Sequence, residues 1–266
     1  MLTLYFSGTG NSKYIAQVFS EKMGAQCLSI EDDAELAAQI KAHDTIAFCY
    51  PIYGSRVPMI MREFAARHMD ALAGKKLVIL VTQLIFSGDG ARVLIDLFPK
   101  RHVEVIYAAH LIMPNNVCNF ALLRQASEKR TRKQLHKAER QLARICQDIK
   151  HGIVKKRGFS AYARVLGSMQ GVAWMGGSHN VTPAKGSMEF RAMRDVKIHE
   201  DCNACGLCVK ACPMNNLRNE QGKIAHNNNC TVCYRCINLC PNKAITVFFH
   251  QRPKWQFKGF EVSTKS

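Results

Sequence analysis

One pattern of eight cysteines constrains the fold of this 266-residue chain more than any other feature. Four cysteines are separated from one another by two, two and three residues, and a proline follows the last of them. The same run occurs again 28 residues later, with every cysteine and the proline in the same positions. A repeat of this kind predicts two equivalent half-sites related by a pseudo-two-fold axis.

The spacing within each run is typical of a [4Fe-4S] ligand set. Three thiolates two residues apart reach neighbouring irons of one cubane, and the proline turns the chain away, so the fourth cysteine ligates the other cluster. We therefore predict one cluster on Cys202, Cys205, Cys208 and Cys240, and a second on Cys212, Cys230, Cys233 and Cys236. Zinc is the alternative, but structural zinc sites usually set two Cys-x2-Cys pairs on either side of a longer loop.

The rest of the composition indicates a soluble, cytoplasmic protein. The chain opens without a basic segment followed by an apolar stretch, and no 18 apolar residues run together, so we expect neither a secretion signal nor a transmembrane segment. In that compartment cysteines bind metal more often than they form disulfides. The four single cysteines are expected to be inert thiols: Cys27, Cys49, Cys118 and Cys146.

The net charge of +17 is concentrated in the second half of the chain. Up to Asn119 there are 11 basic and 11 acidic residues, whereas 26 basic and 9 acidic residues follow. Such a field attracts acidic proteins, including an acidic redox partner, and also nucleic acid or an anionic membrane surface, so charge alone indicates only the sign of the partner. Nucleic acid is not an expected partner, because the basic stretch lacks the interleaved aromatic residues that stack on bases.

Strand-like and helix-like segments alternate over the first 119 residues. Strands are predicted at 2–6, 26–30, 44–50, 76–82 and 103–113, with helices between them, around 35–41, 58–68 and 91–97. Near-continuous apolar strands of this kind predict a doubly wound α/β fold with a parallel, five-stranded sheet covered on both faces. A further helix is predicted over 120–150. Its apolar stripe favours packing on the sheet, and its basic face leaves docking of an acidic partner as the alternative.

A glycine-rich segment joins the first strand to the first helix and predicts a phosphate site. Backbone N–H groups and the positive end of the helix dipole converge there. The segment is not a dinucleotide fingerprint, because Lys13 stands where the third glycine belongs, and it is not a Walker loop. Taken alone, a tight βα turn without a ligand is an equal interpretation.

In its position the segment Ser-Gly-Thr-Gly-Asn-Ser closely resembles the FMN-phosphate loop of flavodoxins. Two further segments match in place, after the third and fourth strands, at the strand ends where ligands bind in open α/β sheets. The resemblance implies FMN bound by Ser7, Gly8, Thr9, Gly10, Asn11, Ser12, Pro51, Ile52, Tyr53, Gly54, Thr82, Gln83, Ser87 and Gly88. Tyr53 is the aromatic residue implied to stack on the ring, and an ordinary rim tyrosine is the alternative. Neither loop contains a tryptophan; Trp174 and Trp255 lie further along the chain.

Residues 196–247 are similar to bacterial-type ferredoxins with two [4Fe-4S] clusters, including the closing Cys-Pro-Asn-Lys-Ala-Ile-Thr-Val. The whole chain resembles flavodoxin–ferredoxin fusion proteins of anaerobic bacteria. This implies an FMN domain at 1–150, a linker at 151–194, a small α+β ferredoxin domain at 195–250 and a C-terminal tail at 251–266. We expect the ferredoxin domain to pack on the FMN side of the sheet, because electron tunnelling slows exponentially with distance.

Three functions stay open. The first is an electron carrier that passes electrons between FMN, the two clusters and a redox partner. The second is an FMN-dependent reductase of a quinone or nitro compound, so whether the chain is an enzyme is undecided; no catalytic residue is predicted. The third is a regulatory or nucleic-acid-binding iron–sulfur protein, for which only the basic charge speaks.

Overall fold

The computed structural model describes residues 1–32, 35–86, 88–100, 102–176 and 181–260, and leaves out the side chains of residues 173 and 175. One large parallel sheet and two small antiparallel sheets are present in these ranges. The predicted site residue Ser87 lies outside them.

The large sheet has the strand order β2-β1-β3-β4-β5-β6, with every pair parallel. Its strands are β1 (Leu2–Tyr5), β2 (Gln26–Ser29), β3 (Thr45–Pro51), β4 (Lys76–Gln83), β5 (Glu104–Ile112) and β6 (Lys155–Lys156). The central strands are buried on both faces, which is why they read as continuous apolar runs in the sequence.

The prediction of five strands is wrong by one, because β6 adds a sixth. It consists of two exposed lysines that pair with Tyr107 and Ala108 at the edge of the sheet. No apolar pattern marks such a strand. Asp148 holds it in place by accepting hydrogen bonds from Tyr107 Oη at 2.6 Å and from Lys155 Nζ at 2.7 Å.

Helices cover both faces of the sheet, as the doubly wound pattern predicts. One face buries Phe48 and Ile79 under α2 (Leu36–Lys41), α3 (Met59–Arg67), α4 (Met69–Leu72) and α5 (Gly90–Val93). The other face buries Leu80 and Leu111 under α1 (Asn11–Met23) and α6 (Glu128–Lys150). The apolar stripe of α6 therefore packs on the sheet.

Helix α6 begins eight residues later than predicted, at Glu128. Ser127 caps it by accepting a hydrogen bond from the backbone N–H of Arg130 at 3.3 Å. The residues before the cap approach the C-terminal part of the chain instead. Cys118 lies in the apolar core of that part, and the Asn119 amide donates to the carbonyl oxygen of Val247 at 3.2 Å.

The segment after α6 contains helices α7 (Ala161–Met175) and α8 (Met188–Ala192). Buried Arg62 of α3 anchors α8 through an ion pair with Glu189 at 3.0 Å, and it also donates to the carbonyl oxygen of Val181 at 3.0 Å. The region predicted as a linker is therefore packed against the N-terminal domain at several points.

The C-terminal part has two short antiparallel sheets of two strands each and two small helices. Strand β7 (Val196–Ile198) pairs with β10 (Ile245–Val247), and β8 (Leu217–Glu220) pairs with β9 (Lys223–His226). Helix α9 (Leu207–Ala211) begins two residues after the second cysteine of the first run, Cys205. Helix α10 (Arg235–Leu239) begins two residues after the second cysteine of the second run, Cys233. Their shared core, around Ile237 and Ile245, has six of the eight predicted cysteines packed around it. Within the described part of the chain, no helix is long and apolar enough to cross a membrane.

Candidate functional site

The glycine-rich segment between β1 and α1 forms a tight loop at the C-terminal end of the sheet. The backbone N–H of Gly10 donates to Ser7 Oγ at 3.0 Å, and Gly10 adopts a φ of +105°, a conformation that glycine adopts without strain. Ser12 Oγ and Thr82 Oγ1 lie 2.7 Å apart, so the first loop is joined by a hydrogen bond to the end of β4. Hydroxyls and backbone amides therefore converge at one end of α1.

The loop after β3 is a two-residue reverse turn. The backbones of Tyr53 and Arg56 exchange hydrogen bonds of 3.1 and 2.9 Å, and Gly54 and Ser55 between them both have positive φ. Gly54 lies directly under the last turn of α7, because a Cβ at this position would stand 2.7 Å from Trp174 Cβ. The turn thus aims Tyr53 towards the same region as the glycine-rich loop.

Together these loops enclose a cavity of about 330 Å³, within the range of roughly 300–1,000 Å³ that small ligands occupy. Eleven of the fourteen predicted FMN-binding residues line it: Ser7, Gly8, Thr9, Asn11, Ser12, Pro51, Ile52, Tyr53, Gly54, Thr82 and Gln83. Gly10 lines a neighbouring cavity on the outer side of the loop.

Gly88 lies elsewhere, packed under α7. A Cβ on Gly88 would stand 2.3 Å from the backbone nitrogen of Gly167. The residue therefore serves the close approach of α7 to the β4 loop, and it does not line the cavity.

Three buried polar atoms of the cavity wall have no hydrogen-bond partner among the described residues: Asn11 Oδ1, Tyr53 Oη and Gln83 Oε1. Buried polar groups in proteins are nearly always paired, so such atoms at a cavity indicate a polar ligand. Burial, and then the nearby thiol of Cys233, raise the pKa of Tyr53 well above its usual value. Its hydroxyl therefore keeps its proton and is able to donate. These features fit a flavin mononucleotide.

Aromatic residues from outside the two flavin loops complete the cavity, and the sequence interpretation missed them. Trp174 of α7 lines it and packs edge-on against Phe248, with ring centroids 5.7 Å apart. Phe249 and Tyr234 line it as well. The only sequence signal for Trp174 is the pair of glycines before it in α7, four residues apart, which shows that this helix face packs closely on a partner.

That partner is a buried ion pair beside the cavity. Arg56 and Asp89 are almost wholly buried, and Arg56 Nη1 lies 3.4 Å from Asp89 Oδ1. A Cβ on Gly171 would stand 1.9 Å from Arg56 Cζ, and one on Gly167 would stand 1.7 Å from Asp89 Oδ1. Only glycines allow α7 to lie on this pair, and α7 in turn places Trp174 in the cavity wall.

The neighbouring thiols of Cys208 and Cys236 include those that the crossed pattern predicts. Burial, and then the thiols of Cys202 and Cys240, raise the pKa of Cys208 to about 11. Burial, and then the thiols of Cys230, Cys233 and Cys212, raise the pKa of Cys236. Cys240 therefore lies near Cys208, and Cys212 lies near Cys236. The crossed ligation of the two clusters stays a prediction. We name the two predicted ligand sets the outer set (Cys202, Cys205, Cys208 and Cys240) and the inner set (Cys212, Cys230, Cys233 and Cys236).

The thiols do not form a site for a single metal ion. Among the described residues, no three Cys, His, Asp or Glu side chains converge as they do around one ion. In a cubane each cysteine ligates a different iron, so its ligands need not converge on one point. Backbone N–H groups donate to Cys212 Sγ at 3.3 Å, to Cys230 Sγ at 3.3 Å and to Cys240 Sγ at 3.2 Å. Such hydrogen bonds tune the potential of a cluster.

The inner set lies against the flavin loop. A Cβ on Gly8 would stand 2.1 Å from the carbonyl oxygen of Cys233. Arg235, two residues after Cys233, donates to the carbonyl oxygens of Ser7 at 2.8 Å and Gly8 at 3.1 Å, and forms an ion pair with Glu31 at 2.6 Å. The expectation that the ferredoxin part packs on the flavin side of the sheet is confirmed.

The C-terminal tail adds a further contact between the two parts. The Gln256 amide donates to the carbonyl oxygens of Ile237 and Cys240, both at 2.8 Å. Further on, a Cβ on Gly259 would stand 2.9 Å from the carbonyl oxygen of Thr9, so the tail lies over the glycine-rich loop. The last described residue, Phe260, packs edge-on against Tyr14 of α1 with ring centroids 5.8 Å apart.

Comparison with known proteins agrees with this architecture. A family model of the flavodoxin domain matches residues 2–180, and a model of the 4Fe-4S dicluster domain matches residues 188–245. The chain therefore belongs to the flavodoxin family and carries a dicluster domain behind it. It is a flavodoxin–ferredoxin fusion, an electron-transfer flavo-iron-sulfur protein whose cofactors are FMN and two [4Fe-4S] clusters.

Solved structures similar to the N-terminal part include flavodoxins, at low identity. The two-electron reduced flavodoxin of Megasphaera elsdenii is 19% identical, with 53% of this chain and 99% of that chain covered and a TM-score of 0.37. Flavodoxin 2 of Bacillus cereus is 15% identical, with 56% of this chain and 97% of that chain covered and a TM-score of 0.40. General stress protein 14 of Treponema denticola, in complex with FMN, is 12% identical, with 56% of this chain and 97% of that chain covered and a TM-score of 0.41. None of the curated proteins matches the chain.

Proposed function

We propose that this protein is an electron carrier. Electrons would pass in a fixed order between the cluster of the outer cysteine set, the cluster of the inner cysteine set and the FMN in the cavity. The outer set includes the exposed Cys205, whereas Cys233 of the inner set is buried. A partner in solution therefore reaches the outer cluster first. The two sets approach each other at Cys208 and Cys236. Burial and the inner thiols raise the pKa of Cys236 most, and the thiol of Cys208 raises it further.

The observation that carries the proposal is the contact between Gly8 and Cys233. No side chain separates the flavin loop from the ligand loop of the inner cluster at this point. Tyr53 lies at the same junction, since it lines the cavity. Burial raises the pKa of Tyr53 most, and the nearby thiol of Cys233 raises it further. A short separation supports electron transfer within one molecule.

The cavity residues divide into two groups by what they would do for FMN. Backbone and hydroxyl groups of the Ser7–Ser12 loop would hold the phosphate at the N-terminal end of α1. Tyr53 and Trp174 would flank the ring, while Gln83 and Asn11 offer the unpaired oxygens noted above. Bound FMN exchanges one or two electrons, which lets it link two-electron chemistry to single-electron clusters.

Two measurements test the proposal. Anaerobically purified protein should contain about eight irons and one FMN per chain. Stopped-flow absorbance should then show equilibration between reduced clusters and flavin at a rate that does not depend on protein concentration. A rate proportional to concentration would mean transfer between molecules, and the fixed order within one chain would be wrong.

A reductase function is the second candidate, and the apolar part of the cavity wall favours it. Beyond the flavin loops the wall continues with apolar residues that the FMN loops do not supply: Met113, Val117, Phe120, Leu123 and Phe249. Such a wall suits a quinone or a nitro compound. Reduction of either compound should then saturate with a defined KM and should weaken in a Leu123→Gln variant; a carrier would show neither effect.

The proposed partner is an acidic redox protein, and the proposed compartment is the cytoplasm. The basic second half of the chain favours an acidic redox protein, which should dissociate as ionic strength rises. Cysteine-ligated clusters suit a reducing compartment such as the cytoplasm.

A further inference from the structure

Helix α7 exposes an apolar face that nothing in the described part of the chain covers. Tyr162, Val165, Met169 and Val172 are 73%, 61%, 69% and 56% exposed. Their spacing of three, four and three residues places them on one side of the helix. The opposite side carries Gly167, Gly171 and Trp174, which pack on the buried ion pair and line the cavity.

The loop after β4 extends this apolar face. Ile85 is 72% and Phe86 is 47% exposed. Gly88, two residues further on, packs against Ala163 and Gly167, so the loop lies beside α7. We name the surface the α7 patch; it comprises Ile85, Phe86, Tyr162, Val165, Met169 and Val172. Soluble monomers rarely leave so many large apolar side chains exposed together without a binding function.

The segment of chain that contains α7 carries charge of one sign. From Ile149 to Met188 the chain contains no acidic residue and six basic ones. Lys156, Arg157 and Arg164 are exposed, and no ion pair holds them among the described residues. Lys155 is the exception, since it pairs with Asp148. An apolar face bordered by free cations indicates an anionic, apolar partner.

A lipid surface fits this combination better than a second copy of the chain. Two copies meeting through the patch would bring like charges together, which is unfavourable at an interface. Helix α7 is 15 residues long, or about 22 Å, so it is too short to cross a hydrocarbon core of about 30 Å. Helices with an apolar face and basic neighbours lie in the plane of the membrane interface.

We propose that the α7 patch binds the surface of membranes that contain anionic lipids. This inference rests on α7 and its neighbours and does not depend on the order of electron transfer. It has a consequence for the cavity, because Leu84, the neighbour of Ile85 in sequence, and Trp174 of α7 both line the cavity wall. Docking would bring that wall next to the lipid, where apolar electron acceptors dissolve.

Vesicle co-sedimentation of the anaerobically purified full chain tests the proposal. Vesicles of phosphatidylcholine mixed with phosphatidylglycerol should bind the protein, and vesicles of phosphatidylcholine alone should bind it much less. Added salt should weaken binding. A Val165→Ser/Met169→Ser variant should lose affinity by about tenfold or more, since two apolar side chains no longer enter the interface. Its iron and flavin contents should equal those of the unchanged protein, because both positions are exposed.

Two further variants locate the contact. Arg164→Gln and Lys137→Gln remove the same charge, but Lys137 lies exposed on α6. Only Arg164→Gln should weaken vesicle binding by more than about twofold. In a Tyr162→Trp variant, tryptophan emission should shift to shorter wavelength when the mixed vesicles are added.

The proposal fails if the mixed vesicles do not bind the protein, or if Val165→Ser/Met169→Ser leaves binding unchanged. Equal effects of Arg164→Gln and Lys137→Gln would mean unspecific charge attraction and would also overturn it. A dimer in sedimentation velocity that this double substitution dissolves would assign the α7 patch to a second copy of the chain instead.

Discussion

Gly8 lies against the carbonyl oxygen of Cys233, so closely that a Cβ on Gly8 would stand 2.1 Å from that oxygen. A loop that faces the flavin cavity and a loop that carries a cluster ligand thus meet without an intervening side chain. Gly8 has an ordinary backbone conformation, since its φ is not positive. Close packing, and not backbone freedom, is therefore the reason for a glycine here.

Gly8→Ala should separate the two loops. Forcing a methyl group into a filled site costs about 1–3 kcal/mol, and the Cys233 backbone cannot move away without disturbing its cluster. We expect weaker flavin retention and slower equilibration between flavin and clusters in stopped-flow spectroscopy. Gly152→Ala is the control, because open space surrounds Gly152 and only backbone strain at its φ of +69° is added. Equal transfer rates in Gly8→Ala and the unchanged protein would contradict the direct contact.

Gly171→Ala should destabilise the protein, although alanine favours helices over glycine by about 1 kcal/mol. The added methyl group would collide with the buried guanidinium of Arg56, 1.9 Å away. We expect the free energy of unfolding to fall by about 1–3 kcal/mol and Trp174 emission to shift as α7 lifts from the cavity. Ser168→Ala, on the exposed side of α7, is the control and should be neutral or stabilising. A more stable Gly171→Ala protein would show that α7 does not dock on Arg56.

Cys212→Ser should damage the inner cluster and spare the outer one. Cys212 follows the outer trio in sequence, but its thiol neighbours are those of the inner set. Electron paramagnetic resonance of the reduced protein should show one intact [4Fe-4S] signal, with iron content reduced by about half or the inner cluster altered. Cys146→Ser, on the buried face of α6, should leave both signals unchanged. Loss of the outer signal in Cys212→Ser would reverse the assignment.

Tyr53→Phe should weaken FMN binding. The buried hydroxyl belongs to the cavity wall and has no partner among the described residues, so it is available to donate to the ligand. Loss of a hydrogen bond worth about 1 kcal/mol should raise the FMN dissociation constant about fivefold. Fluorescence titration of the flavin-free protein measures the change. Tyr162→Phe, at an exposed tyrosine, should change nothing, and an unchanged FMN affinity in Tyr53→Phe would remove this role.

The sequence predicted those parts of the molecule that local pattern determines. Alternating apolar runs indicated the strands and both covered faces, because a buried parallel strand needs apolar residues on each side. The cysteine spacing indicated both ligand sets, since each trio is local and the proline directs the fourth ligand. The loops at the strand ends converge because parallel strands bring their carboxyl ends to one edge of a sheet.

The parts that escaped prediction depend on contacts between distant segments. Strand β6 consists of two lysines, and only Asp148 and the edge of β5 make it a strand. Trp174 reaches the cavity because two glycines of α7 fit over Arg56 and Asp89, a match that no single segment reveals. Arg235 looked like one more basic residue among 37, yet it ties the two domains together.

Arg235 and Glu31 should act as one unit in holding the domains together. Arg235 donates to the carbonyl oxygens of Ser7 and Gly8 and to both carboxylate oxygens of Glu31, at distances from 2.6 to 3.1 Å. Glu31 orients the guanidinium, so Glu31→Gln should weaken the hydrogen bonds that Arg235 makes to the flavin loop. Each single substitution should loosen FMN binding by about 1–2 kcal/mol, because charge-assisted hydrogen bonds are lost.

The double variant Arg235→Gln/Glu31→Gln should cost little more than Arg235→Gln alone, since residues in one network are not additive. FMN dissociation constants from fluorescence titration give the coupling energy. Arg252→Gln/Asp201→Asn, which removes an exposed ion pair in the ferredoxin part, is the matched control and should leave FMN affinity unchanged. Additive effects of the two substitutions would mean that Glu31 does not orient Arg235, and the flavin loop would then be held by other contacts, such as that of Gly259 with Thr9.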